Sequence, residues 1–178
     1  MLGANDYKRR TASSHDAVSA SPDTHWISTK PTLTEEFTRL TQRLRRKLAV
    51  DKCILVLKRP AEERLAAVAS WDHGELNDGL AINLPHENSL FEKVTEDGGL
   101  YTENFCGSFS GNFFEQKLLI DSKSRSFALQ PLRYDGHLVG LVGMSSEEPM
   151  AFTMLDEGEM DDALARFAAS CYSQRHGI

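Results

Sequence analysis

The chain has 178 residues but only three cysteines, Cys53, Cys106 and Cys171, set far apart in sequence. There is no CxxC pair, so neither a zinc clasp nor a redox dithiol is indicated, and no disulfide framework can be read. A reducing compartment fits that usage. No apolar run approaches the ~18 residues a membrane helix needs. Lys8-Arg9-Arg10 near the start has no apolar segment behind it, which argues against a secretory signal. The expectation is a cytoplasmic protein with no membrane attachment. A basic excess is also lacking. The formal net charge is -6, which argues against a general nucleic-acid binder. No Ser/His/Asp nucleophile pattern appears. Gly136-His137-Leu138-Val139-Gly140 reads as turn and strand rather than a phosphate loop. Metal ligands are not clustered either. His73, His86 and His137 are scattered, each beside a turn residue, and Asp72-His73 becomes a ligand pair only if His86 or His137 folds near it.

What is present is one ordinary soluble domain, with 40% hydrophobic and 26% charged residues. Residues 1–31 are polar, rich in Ser, Thr and Ala, and without periodicity; they read as a disordered lead-in to a domain over 32–175, with 176–178 as a tail. Trp26 and Ile27 stand out there, either as a local hydrophobic contact or as a docking pair for the domain or a partner. Thr32 and Glu35 have capping-box spacing for a helix to about Val50, with Phe37, Leu40, Leu44 and Leu48 as its apolar stripe. Arg39, Arg43, Arg45, Arg46 and Lys47 crowd its other faces, as a solvated surface or as a basic patch for an acidic partner.

Strands are expected over Asp51–Arg59, Arg64–Trp71 and, briefly, Leu80–Leu84. A helix capped by Asn88 or Ser89 carries Leu90, Phe91 and Val94 and stops at Gly98-Gly99. Leu100–Glu103 is extended. Residues 105–124 are the least regular part, Gly/Ser-rich at first and then helical over Asn112–Ile120. Ser126–Phe152 holds the strongest signal. Asp135-Gly136 lies between two runs that are apolar on both parities, which predicts a hairpin in mid-sheet with something packed on each side. Thr153 and Asp156 are placed to start a last helix with Ala163, Leu164, Phe167, Ala168 and Cys171 as its stripe. The acidic residues between Asp156 and Asp162 then fall at its positive dipole end. The order of elements is not regular βα alternation. It predicts an α+β fold, with an antiparallel sheet, the terminal helices together on one face, and the middle helix with the irregular segment on the other.

Three pieces of this chain resemble a GAF domain. Leu84-Pro85 leads through Ser89–Val94 to Gly98-Gly99-Leu100-Tyr101, like the family's short helix between strands. Ser126–Leu132 followed by Gly136–Val142 is similar to its strand ending in Pro-Leu, turn and next strand. Ala151-Phe152-Thr153 with Asp156 resembles the Phe-Thr-x-x-Asp opening of its final helix. The likeness covers about residues 33–173. It implies a GAF-like antiparallel central sheet, a small-molecule site between the sheet and its distal helices, homodimerisation through the terminal helices, and a role in signal sensing. The family's cyclic-nucleotide run Asn-Lys-Phe-Asp-Glu is absent. Bilin-carrying members have a pocket cysteine commonly followed by His, whereas Cys106 precedes Gly107. No nucleotide, bilin or metal motif names a cofactor.

The candidate ligand site gathers the aromatic residues of the irregular segment and the strand after it: Phe105, Phe109, Phe113, Phe114, Phe127 and Leu129, with Asn104, Gln130 and Arg133 as polar contacts. The same phenylalanines read equally as core beneath a loop. Three functions follow. The first is a regulatory sensor that binds an unidentified small molecule and signals through its terminal helices, as a homodimer or to a protein partner. The second is a non-catalytic interaction or dimerisation module whose pocket is filled. The third is a redox enzyme of the free methionine sulfoxide reductase type using Cys106, which needs a lowered thiol pKa and a resolving partner. A binding or regulatory role is preferred over catalysis, with no catalytic or metal-ligating residue assigned.

Overall fold

The computed structural model describes residues 31–156 and 158–177. The expected lead-in, including Trp26 and Ile27, lies outside the described residues apart from Pro31. The elements in order are α1 (Pro31–Lys47), β1 (Lys52–Lys58), β2 (Leu65–Asp72), β3 (Glu75–Asn83), α2 (Leu90–Asp97), β4 (Tyr101–Glu103), α3 (Phe113–Leu119), β5 (Ser126–Tyr134), β6 (His137–Ser146) and α4 (Glu159–His176). The six strands form one sheet in the order β3-β2-β1-β6-β5-β4, and every pairing is antiparallel.

The Asp135-Gly136 hairpin forms as its residues dictate. Tyr134 pairs with His137, and the two turn residues take φ of 48° and 76°, the left-handed pair that a two-residue turn between twisted strands requires. β6 then pairs with β1 across the middle of the sheet, Leu57 opposite Gly140. A Cβ on Gly140 would lie 3.0 Å from the Leu57 Cα and closer still to the Val56 carbonyl oxygen, so only glycine admits this approach.

Both faces of the sheet are covered. Cys53, Leu55, Val68, Trp71, Ala128, Leu132 and Val142 point to one side, where they pack with Phe37, Leu44, Leu164 and Phe167 of α1 and α4. Ile54, Val56, Ala67, Phe127, Leu129 and Leu141 point to the other, against Leu90, Phe91 and Val94 of α2 and Leu119 of α3. The two terminal helices therefore share one face, and α2 with the segment around α3 covers the opposite one. α1 and α4 run antiparallel. Lys47 Nζ at the end of α1 lies 3.8 Å from Glu159 at the start of α4, while the Ser170 hydroxyl near the end of α4 donates to Glu36 near the start of α1. Lys47 in the last turn of α1 and Glu159 in the first turn of α4 each lie at the dipole end that favours their charge.

Three local expectations need correction. β3 is a nine-residue strand, not a short one over Leu80–Leu84. It joins β2 through a His73-Gly74 turn with φ of 45° and 102°, and nearly all of it is exposed at the sheet edge. Apolar alternation is missing there because one flank and both faces of β3 meet water, and pairing with β2 alone defines it. Thr153 does not cap the last helix. Residues 151–156 form turns that bury Phe152 and Leu155, and α4 begins at Glu159. Likewise α1 starts at Pro31, so Thr32 lies inside the first turn instead of at the cap; proline suits that first position because its missing N–H would be unpaired there anyway. Among the described residues no helix is long and apolar enough to cross a membrane.

Candidate functional site

The side of the sheet away from α1 and α4 is organised around a buried carboxylate. Asn112 caps α3, accepting from the Glu115 N–H at 3.1 Å, and Glu115 returns the bond as the third residue of a capping box. Its side chain is fully buried and reaches past its own helix to the start of α2. Oε2 accepts from the Leu90 N–H at 2.9 Å and the Asn112 N–H at 3.3 Å. Oε1 accepts from the Phe91 N–H at 3.2 Å and from the Ser89 hydroxyl. Ser89 in turn accepts from the Glu92 N–H at 3.0 Å, as the expected cap of α2. The carboxylate thus satisfies donors that a helix start leaves unpaired, at the end of the dipole that favours negative charge. Gly111 makes room for it, since a Cβ there would sit 2.9 Å from Leu90 Cβ and nearer to Glu115 Oε2 and the Phe109 ring. Glu115 therefore ties the irregular segment across α2.

This arrangement decides where the expected site residues go. Phe127 and Leu129 are core, and Phe109 is half-buried with its ring 5.4 Å from that of Phe127. Tyr101 stacks on Phe127 at 5.9 Å. These rings fill the space under the segment. Phe113 and Phe114, by contrast, are 64% and 52% exposed and meet edge to face at 6.2 Å, and Phe105 is 66% exposed. The buried face of α3 is Glu115 and Leu119, one turn apart, so the two preceding phenylalanines must point outward. Asn104 is half-buried and its carbonyl accepts from the Met150 N–H at 2.9 Å. Gln130 shares its strand parity with Ala128 and Leu132 and so lies on the α4 side, beside Leu164 and Ala168. Arg133 donates to the Thr95 carbonyl at 2.8 Å, near the end of α2. The nine residues are distributed over core, exposed surface and two separate hollows.

One hollow has the make-up of a ligand cleft. It measures about 420 Å3 and opens between α2 and the ends of two hairpins. Leu65 and Leu138 give it apolar surface, Glu92, Thr95 and Glu96 form the α2 wall with His86 before it, and Lys58, Glu63 and Arg133 close the other side. Lys58 Nζ lies 3.7 Å from Glu63, and His86 Nδ1 contacts the Glu92 carboxylate. Arg133 belongs to this cleft and also lines the hollow beside α4. Carboxylates and cations on an apolar base suit a small polar molecule that carries both signs of charge. Apart from Arg133, reading the sequence did not find this cleft. Its residues come from five separated stretches; the β1–β2 and β5–β6 hairpins are set side by side by the pairing of β1 with β6, and their ends meet α2 there.

The cysteines do not converge. Cys53 and Cys171 lie in the core beneath α1 and α4, whereas Cys106 packs at the edge of the opposite core, so the sheet stands between it and the other two. All three are free thiols. Burial pushes Cys53 up to about 12 and raises Cys171 as well. Cys106 is raised as well, first by burial and then by the nearby Glu103 carboxylate. A resolving partner for Cys106 is therefore not positioned on its side of the sheet, and its environment disfavours the thiolate. Among the described residues no group of three His, Cys, Asp or Glu could hold a metal ion.

A layered antiparallel sheet with paired terminal helices behind and a short helix plus a loosely built segment in front defines a fold class, and sequence comparison agrees with it. The GAF domain family profile matches residues 32–171, and the chain belongs to that family. Solved structures bear the same fold. The GAF domain of a two-component sensor histidine kinase from Bacillus halodurans is similar with a TM-score of 0.66 at 16% identity, over 81% of this chain and 97% of that one. A GAF domain/HD domain protein from Geobacter sulfurreducens gives 0.59 at 13% identity, over 80% and 94%. The type II free methionine-R-sulfoxide reductase from Thermoplasma acidophilum gives 0.56 at 20% identity, over 82% and 94%. At these identities the likeness carries the fold alone. No curated protein matches the chain in sequence.

Proposed function

We propose that this GAF domain is a regulatory module that binds a small polar molecule in the cleft between α2 and the two hairpin ends and transmits occupancy to the α1–α4 pair. The observation that carries the reading is the double placement of Arg133. Its guanidinium holds the Thr95 carbonyl in the cleft wall, and the same residue borders the hollow against Leu164, Ala165 and Ala168 of α4. A ligand that draws Arg133 away from Thr95 shifts a residue that shares a hollow with α4, and its effect equals its preference for the displaced arrangement. A ligand with carboxylate and ammonium groups meets its counterparts in Arg133 and Lys58 on one side and Glu92 and Glu96 on the other.

A thermal-shift screen of small amino acids, organic acids and amines tests this. A binding compound raises the midpoint, and Arg133→Ala removes the response while leaving the protein folded. Failure of every compound to shift the midpoint, or an undiminished shift in Arg133→Ala, refutes the cleft. The interaction-module reading draws support from the filled space beneath Phe109. The reductase reading is set aside because Cys106 stands alone on its side of the sheet.

A further inference from the structure

β3 ends the sheet, and among the described residues no strand pairs with its outer flank. Nearly every residue from Glu75 to Asn83 is exposed. The register with β2 shifts beyond Asp78, and Gly79 takes a φ of 71°, which leaves Glu75–Asp78 as an unbroken run. Leu76 in that run is 37% exposed and lies directly opposite Trp71 of β2. No lysine or proline blunts the run, and a bare strand edge recruits further backbone unless something covers it. The start of α1 lies beside this edge. The Thr34 hydroxyl donates to Asp78 at 3.2 Å, and eleven residues on, Arg45 sits over the Trp71 ring at 4.4 Å. α1 thus moves inward from β3 to β2, so its first turn lies at the rim of the sheet.

Chain ahead of Pro31 therefore sets out from beside Glu75–Asp78. Trp26 precedes Pro31 by five positions, a reach of about 17 Å at full stretch, whereas four strand residues span only about 10 Å. Thr24-His25-Trp26-Ile27-Ser28-Thr29 is aromatic and β-branched at four of its six positions and holds neither Gly nor Pro. We propose that residues 24–29 add to the outer edge of β3 as a seventh strand, with main-chain bonds to Glu75–Asp78. Consecutive strand residues face opposite ways, so one of Trp26 and Ile27 covers Leu76 on the α1 side. Charge favours this occupant. The stretch from Thr24 to Lys30 contains no acid and ends on a lysine, while β3 carries Glu75 and Asp78. Tethering favours it too, since a short linker holds the segment at an effective concentration of about millimolar. A second β3 laid on the same edge would set Glu75 and Asp78 against their own kind.

Hydrogen exchange of the full chain, read amide by amide by NMR, tests this. Every second amide of β3 faces away from β2, and only an added strand gives those amides a partner. The test variant is I27P/S28P. Successive N–H groups of a strand point to opposite sides, so one of the two lost donors faces β3 in either register. The outward amides within Glu75–Asp78 should exchange at least about tenfold more slowly in the parent than in I27P/S28P. The control A12P/S13P, ahead of the segment, should keep the parent rates. Unchanged exchange in β1 and β6 verifies that each variant folds, and the parent measurement needs no variant at all. Unprotected outward amides in the parent overturn the proposal. So does equal protection in I27P/S28P, or equal loss in A12P/S13P. Protection that vanishes on dilution, with a dimer in sedimentation, would give the edge to a second copy and also overturns it.

Discussion

Glu115→Ala tests the internal tie between α3 and α2 most directly. The substitution removes the acceptor of four donors at once: the Leu90, Phe91 and Asn112 N–H groups and the Ser89 hydroxyl. The last two are partly exposed, so water can replace the carboxylate there. The Leu90 and Phe91 bonds are buried, and each stranded donor costs about 1–3 kcal/mol. The expected loss is therefore roughly 2–6 kcal/mol, a large share of the ~5–15 kcal/mol that a domain commands. At about 2–4 °C per kcal/mol for a chain of this size, the midpoint should fall by roughly 5–20 °C. Differential scanning fluorimetry and urea unfolding measure it. Hydrogen exchange adds a local readout: the Leu90 and Phe91 amides should lose protection before the central strands do. Glu115→Gln retains one carbonyl acceptor and should fall between alanine and the parent. An unchanged midpoint together with unchanged exchange at Leu90 and Phe91 would refute the claim that this carboxylate ties the segment down.

Other outcomes follow from the same geometry. A disulfide reagent should find one slowly reacting thiol, Cys106, in the native protein and three thiols after denaturation. The Cys106 rate should climb as pH passes the ordinary thiol value of 9.0, because burial and Glu103 raise its pKa and leave little thiolate at neutral pH; fast labelling at pH 7 contradicts this. Gly140→Ala should cost about 1–3 kcal/mol or block folding, read by urea denaturation, since the added methyl meets β1 backbone rather than a movable side chain. Asp121 is held below the usual carboxylate range. Its partial burial acts the other way, and is outweighed by the Lys123 N–H, the charge of Lys52 and the Ser124 N–H and hydroxyl. A depressed carboxylate adds stability above its unfolded pKa of about 3.9 and loses that contribution as pH falls through the folded value. Asp121→Asn should thus melt lower at pH 7, and the gap should close in acid below about pH 4; a gap independent of pH would show that charge is not the cause.

The parts of the fold that were legible in the sequence are those where local chemistry and burial agree. Asp135-Gly136 between two doubly apolar runs could hardly be anything but a central hairpin, and Ser89 with Gly98 bracket α2 at both ends. Legibility fails where the two disagree. β3 is built from Glu75, Asn77, Asp78 and Gly79, poor strand residues on an open edge, and only tertiary pairing extends it. Phe152 and Leu155 look like the start of an amphipathic helix, yet they are buried from a run of turns. The same holds around α3. Hydrophobicity alone predicts Phe113 and Phe114 inward, whereas the structure turns these aromatics out and Glu115 in. The signal was available in Asn112 and Glu115, whose capping-box spacing fixes the helix phase, but the four donors that justify burying the acid come partly from a helix more than twenty residues earlier.

The antiparallel contact of α1 with α4, Lys47 against Glu159 and Glu36 against Ser170, has a mechanical corollary. Pro31 and His176 thus lie toward the same end of the helix pair, like two contacts of one socket. Cargo attached at either lead, or at both, would feel a small change in helix crossing as a sideways displacement of neighbouring tethers. Fluorophores placed at those two points would make that displacement visible from outside the fold.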